Sequence, residues 1–364
     1  MDSLRAILMS FGVVLHAALA YDTSRKWVVS DASGSAGYGI WVTIIHMYRM
    51  PLFFLVAGFF TSLAFDKYTR TEFVRIRFIR IVLPFFATLV TANALLQWCF
   101  VTYGLREFTI AHWVGQLWFL AYLFFYLLVF YLASYRYDWL RAPIVAIERV
   151  CEMLGGVSTL YLIFIAAHLA FRLAIKVFDL WDTTLLGFVD LPNFLHYAVY
   201  FIAGLITFRS NKIYDFVTRP SGWIYILAIA LATAAVTSQH LPTLRTWVEA
   251  RSILQPLLEW SAAYVGAIAI LGIFRRYCNF NSRWSRFFSE TSYSVFLFHG
   301  PFLVGFAILL LPVSLPAIVK YLLVVFLSLA CTVALHALVI SRVPILMTLF
   351  NGKVLSKQRI SGFP

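Results

Sequence analysis

Hydrophobic residues in this chain come in blocks of about 20, the length a helix needs to cross ~30 Å of hydrocarbon. Inside hydrocarbon a backbone satisfies its polar groups only as a helix or a closed barrel, and uninterrupted apolar blocks of this length specify helices. Ten are predicted, at about 4–22, 41–64, 78–100, 112–134, 155–177, 192–208, 222–238, 254–274, 291–311 and 317–340. Only 12% of residues are charged, about half the share of a soluble chain. The expected fold class is therefore an all-α polytopic membrane protein. No soluble domain is large enough to hold separate chemistry and no internal repeat is visible, so residues 1–364 are expected to form one integral-membrane domain.

The net charge of +13 raises the question of nucleic acid. That function needs a basic soluble face, and the positions of the charges give a different account. With the N-terminus inside, segments 65–80, 135–153, 209–220, 275–289 and the tail from 342 hold 19 Lys and Arg, against 5 (Arg25, Lys26, Arg106, Arg245, Arg251) in the alternate loops. Basic residues favour the cytoplasmic side, so both termini of this multi-pass protein are expected there. Loop 178–191 has Asp179, Asp182 and Asp190 and no basic residue, which suits the outside. The first block, with Arg5 near its start and Ala18-Leu19-Ala20 near its end, also has the look of a signal peptide. The charge pattern fits ten retained spans better. Cys99, Cys151, Cys278 and Cys331 form no CxxC pair and suggest neither a disulfide framework nor a metal site; no metal is expected.

An ionisable side chain at membrane depth costs roughly 2.5 kcal/mol or more, so it usually faces a cavity or partner and marks function. Arg5 and His16 in the first span are eleven residues apart, about three turns, and share a helix face. His16 lies ~18 Å from the cytoplasmic edge at 1.5 Å per residue. Running the other way, Arg49 in the second span reaches the same level, with His46 one turn away. His299 in the ninth span sits slightly below His16. Arg75, Arg77 and Arg80 mark the cytoplasmic mouth of the third span, and guanidinium forks match phosphate oxygens. An anionic ligand held there by its phosphates, with Arg5 alongside and a thin arm rising to His16, points to an acyl-coenzyme A. Trp27, Trp181 and Trp247 in the outer loops read as interfacial anchors or as faces for sugar rings.

Several motifs carry a resemblance: DSLRA with His16 eleven residues on, FFLVAGFF after Arg49, RIRFIRIVLPFF, QLWFL around Trp118, and SYSVFLFHGP. Spread over nearly the whole chain, they resemble the membrane-bound acyltransferase-3 superfamily. IIHMYRMPLFFLVAGFF, FIAGLITF with TRPSGW, and RVPILMTLFNGK resemble its glucan-modifying branch. The chain departs from the pattern in starting the motif almost at once, at Asp2. The resemblance implies succinyl-CoA or another acyl-CoA as cytoplasmic donor, not permanently bound, and hydroxyls of osmoregulated periplasmic glucans as acceptor. The family's first-span Arg and His map onto Arg5 and His16, and its third-span RxxR onto Arg77 and Arg80.

On this reading His16 is the general base, because imidazole is half-titrated near pH ~6.5; an acyl-histidine relay is the alternative. Arg49 and His299 are the other catalytic candidates. Arg49, with His46, is expected to pair with the succinyl carboxylate or to stabilise the oxyanion. Glu259 is the carboxylate that could orient His16, unless it pairs with Arg172. His46, Trp118, Arg172, Trp181 and Glu259 make up the expected substrate-binding set. O-acetylation of another surface glycan and transport of an anionic solute remain as alternatives. The sequence leaves a homodimer open.

Overall fold

The computed structural model describes residues 2–134, 141–241, 253–278 and 283–353; Arg245, Trp247 and Arg251 lie outside them. In chain order the helices are α1 (Asp2–Tyr21), α2 (Gly37–Lys67), α3 (Arg70–Thr102), α4 (Ile110–Ala133), α5 (Arg141–Leu154), α6 (Gly156–Val177), α7 (Leu191–Arg209), α8 (Asn211–Thr218), α9 (Gly222–His240), α10 (Leu254–Tyr277), α11 (Arg283–Leu310), α12 (Ala317–Leu338) and α13 (Pro344–Asn351). Among the described residues, ten helices are long and apolar enough to cross a membrane, and each predicted block falls on one of them. Exposed apolar side chains such as Val90, Ile226, Ile229 and Phe326 are what a lipid-solvated surface requires.

The differences from expectation lie in the connections. Segments 135–153 and 209–220 contain helices, α5 and α8. Each is amphipathic, so its polar face hides it from a hydropathy scan. Ser210 starts α8 by accepting from the Ile213 backbone N–H at 3.1 Å, an N-cap of the usual kind. Loop 178–191 contains a two-stranded antiparallel hairpin, β1 (Thr184–Leu185) and β2 (Val189–Asp190).

Two helices are irregular. α3 contains two π-helical turns, Phe78–Val82 and Leu89–Asn93, insertions often found at functional sites. α4 is a short helix, Ile110–Val114, then a 3₁₀ turn over Gly115–Leu117, then a long helix from Trp118. Gly115 makes the break with φ of +48°, a conformation a Cβ would strain.

The chain forms two compact units. One gathers residues 43–67 and 125–280. Within it α2 and α7 cross at glycines: a Cβ on Gly58 would lie 2.0 Å from the Phe201 carbonyl oxygen, and one on Gly204 1.9 Å from that of Leu55. Close backbone approach through small residues is how helices pack in lipid. The other unit gathers residues 2–42, 68–124 and 281–364. Here α1 packs along α11, and α11 along α12. Their core includes Val13, Ala17, Tyr21, Val295, Leu303 and Val324.

Candidate active site

The second unit brings His16 of α1 and His299 of α11 into direct contact. His16 Nδ1 lies 2.8 Å from His299 Nε2. Ring planes agree within 10° and centroids are 5.1 Å apart, the arrangement of an in-plane, end-to-end hydrogen bond. His299 is fully buried. Its Nδ1 is 2.9 Å from the carbonyl oxygens of both Val295 and Phe296. Carbonyls only accept, so His299 Nδ1 is the protonated nitrogen. In a neutral ring Nε2 is then an acceptor, and His16 Nδ1–H donates to it. The lone pair of His16 is thereby assigned to Nε2.

The HGP run explains the local build. Pro301 lies inside α11. It has no N–H, so the carbonyl four residues back loses its helical partner. That carbonyl is Leu297, and it accepts from Gln116 Nε2 at 3.1 Å. Gly300 lets the amide approach: a Cβ there would meet Gln116 Oε1 at 2.7 Å.

A cavity of about 230 Å³ opens on His16. Its wall includes Trp27 from the first loop, Asn93 and Gln97 of α3, Arg106 and His112, and Trp113, Gln116 and Trp118 of α4. Asn93 Nδ2 donates to the Trp113 and Val114 carbonyls at 3.0 and 2.9 Å. Trp113 Nε1 in turn donates to the Leu89 carbonyl at 2.9 Å. This reciprocal pair fastens the second π turn to the break in α4. His112 Nδ1 meets the Glu107 carbonyl at 2.9 Å. Arg106 lies outside the spans, and burial lowers its pKa from the ordinary guanidinium value. Among the described residues its guanidinium has no ion-pair partner.

The first loop closes over this region through a buried ion pair, Lys320 Nζ to Asp31 Oδ2 at 2.8 Å, both side chains under 9% exposed. Asp31 also accepts from the Ser33 backbone N–H and hydroxyl, at 2.8 and 2.6 Å. Burial raises its pKa, but the Lys320 and Ser33 hydrogen bonds and the Lys320 charge outweigh it and hold the carboxyl below its ordinary value.

Three of the expected phosphate-binding arginines come together: Arg77 feels the positive charge of both Arg80 and Arg5. Arg5 Nη2 donates to Ser289 Oγ at 3.3 Å, Arg77 lies 5.3 Å from the Phe73 ring centre, and the Arg80 carbonyl accepts from Tyr293 OH at 2.8 Å. Arg75 is exposed.

Arg49, His46, Arg172, Trp181 and Glu259 belong to the other unit. Arg49 is 6% exposed. His46 Nε2 is 3.4 Å from Tyr197 OH. The Arg172 guanidinium lies 4.9 Å from the Trp181 ring centre. Glu259 accepts from Gln239 Nε2 at 2.7 Å and Gln255 Nε2 at 2.8 Å. His16 meets a second histidine, His299. Asn93, Gln97, Arg106, His112 and Gln116 were not singled out from sequence. Asn93 and Gln97 did leave a signal: two amides at i and i+4 put a polar stripe on one face of an apolar span.

The acyltransferase domain family matches residues 1–337. Proteins named glucans biosynthesis protein C are similar over nearly the full length. Those of Salmonella typhi and Salmonella paratyphi B are 23% and 24% identical over 98% of this chain and 95% of their own. That of Salmonella typhimurium is 23% identical over 97% and 94%. No solved structure matches the chain. With ten apolar helices among the described residues and a family match that spans His16 and His299, the chain belongs to the acyltransferase-3 family of multi-pass membrane proteins.

Proposed function

We propose that this membrane acyltransferase moves a succinyl group from succinyl-CoA to a hydroxyl of a periplasmic glucan, with His16 Nε2 as general base. The observation that carries the reading is the in-line His16–His299 contact at a cavity. The donor's phosphates are assigned to Arg5, Arg77 and Arg80, a cluster whose mutual repulsion an anion relieves. The acceptor hydroxyl oxygen forms a C–O bond to the thioester carbonyl carbon while its proton passes to His16. The C–S bond then breaks, and the proton goes on to the departing thiolate sulfur. Such base catalysis contributes roughly 10² to 10⁴ in rate.

The choice of succinyl over acetyl is supported by Arg106. The residues lining the cavity include this one guanidinium, half-buried and without a counter-charge among the described residues. The terminal carboxylate of a succinyl group would supply one, in a charge-assisted pair. From sequence that role was expected of Arg49 with His46; here it is proposed for Arg106. The names of the similar Salmonella proteins support a glucan acceptor.

Mass spectrometry of periplasmic glucans from cells with wild type, His16→Ala or no gene tests the assignment. A succinyl increment present only with wild type is expected. Glucans without it in all three strains, at normal expression, would move the acceptor to another glycan; an acetyl increment would move the donor.

A further inference from the structure

The cavity wall contains two amides that the proposed reaction has not used. Asn93 is 5% exposed and Gln97 4%, and they stand one turn apart on α3, where i,i+4 side chains are neighbours. Both Nδ2 protons of Asn93 are committed to the Trp113 and Val114 carbonyls. That fixes the orientation of the amide. Its Oδ1 is buried with no hydrogen-bond partner, and so is Nε2 of Gln97. Buried polar groups are nearly always paired, and leaving them unpaired destabilises a fold. Both residues line the cavity beside His16, and a ligand that completes their amides is the economical account.

The chemistry of the two atoms narrows that ligand. Asn93 Oδ1 is an acceptor and demands a donor, which excludes a carboxylate or phosphate oxygen at that point. Gln97 Nε2 is a donor and demands an acceptor. Neighbouring hydroxyls meet both demands, because each O–H donates and accepts. Trp27, Trp113 and Trp118 line the same cavity, and aromatic faces suit the C–H faces of a pyranose. The volume, about 230 Å³, falls below the ~300–1,000 Å³ of sites for drug-sized ligands and is on the scale of one ring.

We infer that Asn93 and Gln97 form a hydroxyl-reading subsite for one neutral sugar ring of the acceptor, which presents a hydroxyl of that ring to His16. This rests on the acyl transfer proposed above. Recognition of this kind is selective, since an analogue lacking the hydroxyl leaves buried amides unpaired.

The test uses the full chain in nanodiscs. Gln97 makes no hydrogen bond among the described residues, so Gln97→Leu spares the fold. Binding of a labelled, unmodified periplasmic glucan is measured by equilibrium dialysis for wild type and Gln97→Leu. Kinetics with the same glucan and succinyl-CoA are run alongside, with a thermal midpoint for each protein. The expected result for Gln97→Leu is a glucan Kd and acceptor KM raised roughly 10-fold or more, with the donor KM within about two-fold. The midpoint should be unchanged or higher, since a buried unpaired amide is gone. No glucan binding by wild type overturns the subsite. So does a rise confined to the donor KM, which would assign the amide to the donor. Unchanged kinetics and binding would mean that the amides hold water alone. Wild-type binding that depends on Gln97, without any succinyl transfer, would sustain the subsite while sinking the proposed reaction.

Discussion

His299 presents its Nε2 to Nδ1 of His16 at 2.8 Å, with the two rings within 10° of one plane. The direction of that bond is set one step away, where two α11 carbonyls accept from His299 Nδ1. The carbonyls fix the tautomer of His299, and His299 fixes that of His16. A buried aspartate does this work in a serine hydrolase triad; here the partner of His16 is a second imidazole.

His299→Ala should lower kcat roughly 10- to 100-fold, the usual scale for loss of an orienting partner, while His16→Ala costs roughly 10² to 10⁴. His299→Gln should recover part of the loss, because its amide oxygen can accept from His16 Nδ1. Nitrogen NMR of histidine-labelled protein gives a reading that a packing role would not move. His16 is expected as the Nδ1–H tautomer in wild type, shifting toward Nε2–H in His299→Ala. An Nε2–H tautomer in wild type would remove the assignment.

Arg106→Gln should discriminate between acyl donors. Hydrogen bonds to charged groups contribute about 1.5–3 kcal/mol, so succinyl transfer should fall roughly 10- to 100-fold while acetyl transfer stays nearly level. Equal losses with both donors would show that the guanidinium does not read the carboxylate.

The Asp31–Lys320 pair predicts how the protein responds to acid. The folded carboxyl titrates below its ordinary value, so its contribution is complete above the unfolded pKa of ~3.9. It is lost as pH falls further, through the lower folded value. The pair should therefore cost the wild type thermal stability only below about pH 4, and Asp31→Asn should remove that part of the acid limb. Removing one partner of a buried pair costs about 3–5 kcal/mol, so Lys320→Met should lower the midpoint sharply. A double replacement by apolar residues should be milder. A Lys320→Met midpoint equal to wild type would contradict the burial of the pair.

Pro301 and Gln116 should couple. Gln116→Ala leaves the Leu297 carbonyl without its donor, at about 1–3 kcal/mol. In a Pro301→Ala background a helical N–H returns to that carbonyl, and the same change should cost less by at least ~0.5 kcal/mol. Additive effects in a double-mutant cycle of thermal stability would refute the account.

Much of the fold was legible because lipid imposes a simple rule: apolar length specifies a span. Depth counting also placed His16 and His299 near one level, although it could not show that they touch. The grouping of Arg5, Arg77 and Arg80 followed from charge and helix spacing. The rest was hidden for physical reasons. The π turns at Phe78–Val82 and Leu89–Asn93 leave no mark in a helix that is apolar nearly all round, so the aim of Asn93 could not be read. Lys320 and Asp31 are 289 residues apart, and no local pattern joins them. The contact of His299 with His16 is likewise unmarked, because helix spacing fixes a face and a depth but not which neighbouring helix that face meets.

The Asp31–Lys320 pair has a consequence for how the cavity behaves in different salts. It pins the loop that brings Trp27 to the cavity wall. Dissolved ions screen exposed charges over ~8–10 Å near physiological strength but act far less on a buried pair. The strap is therefore deaf to ionic strength, and this part of the wall keeps its shape in dilute and concentrated media alike. Salt should instead be felt at the exposed Arg75 and Arg80, where it competes with an incoming polyanion.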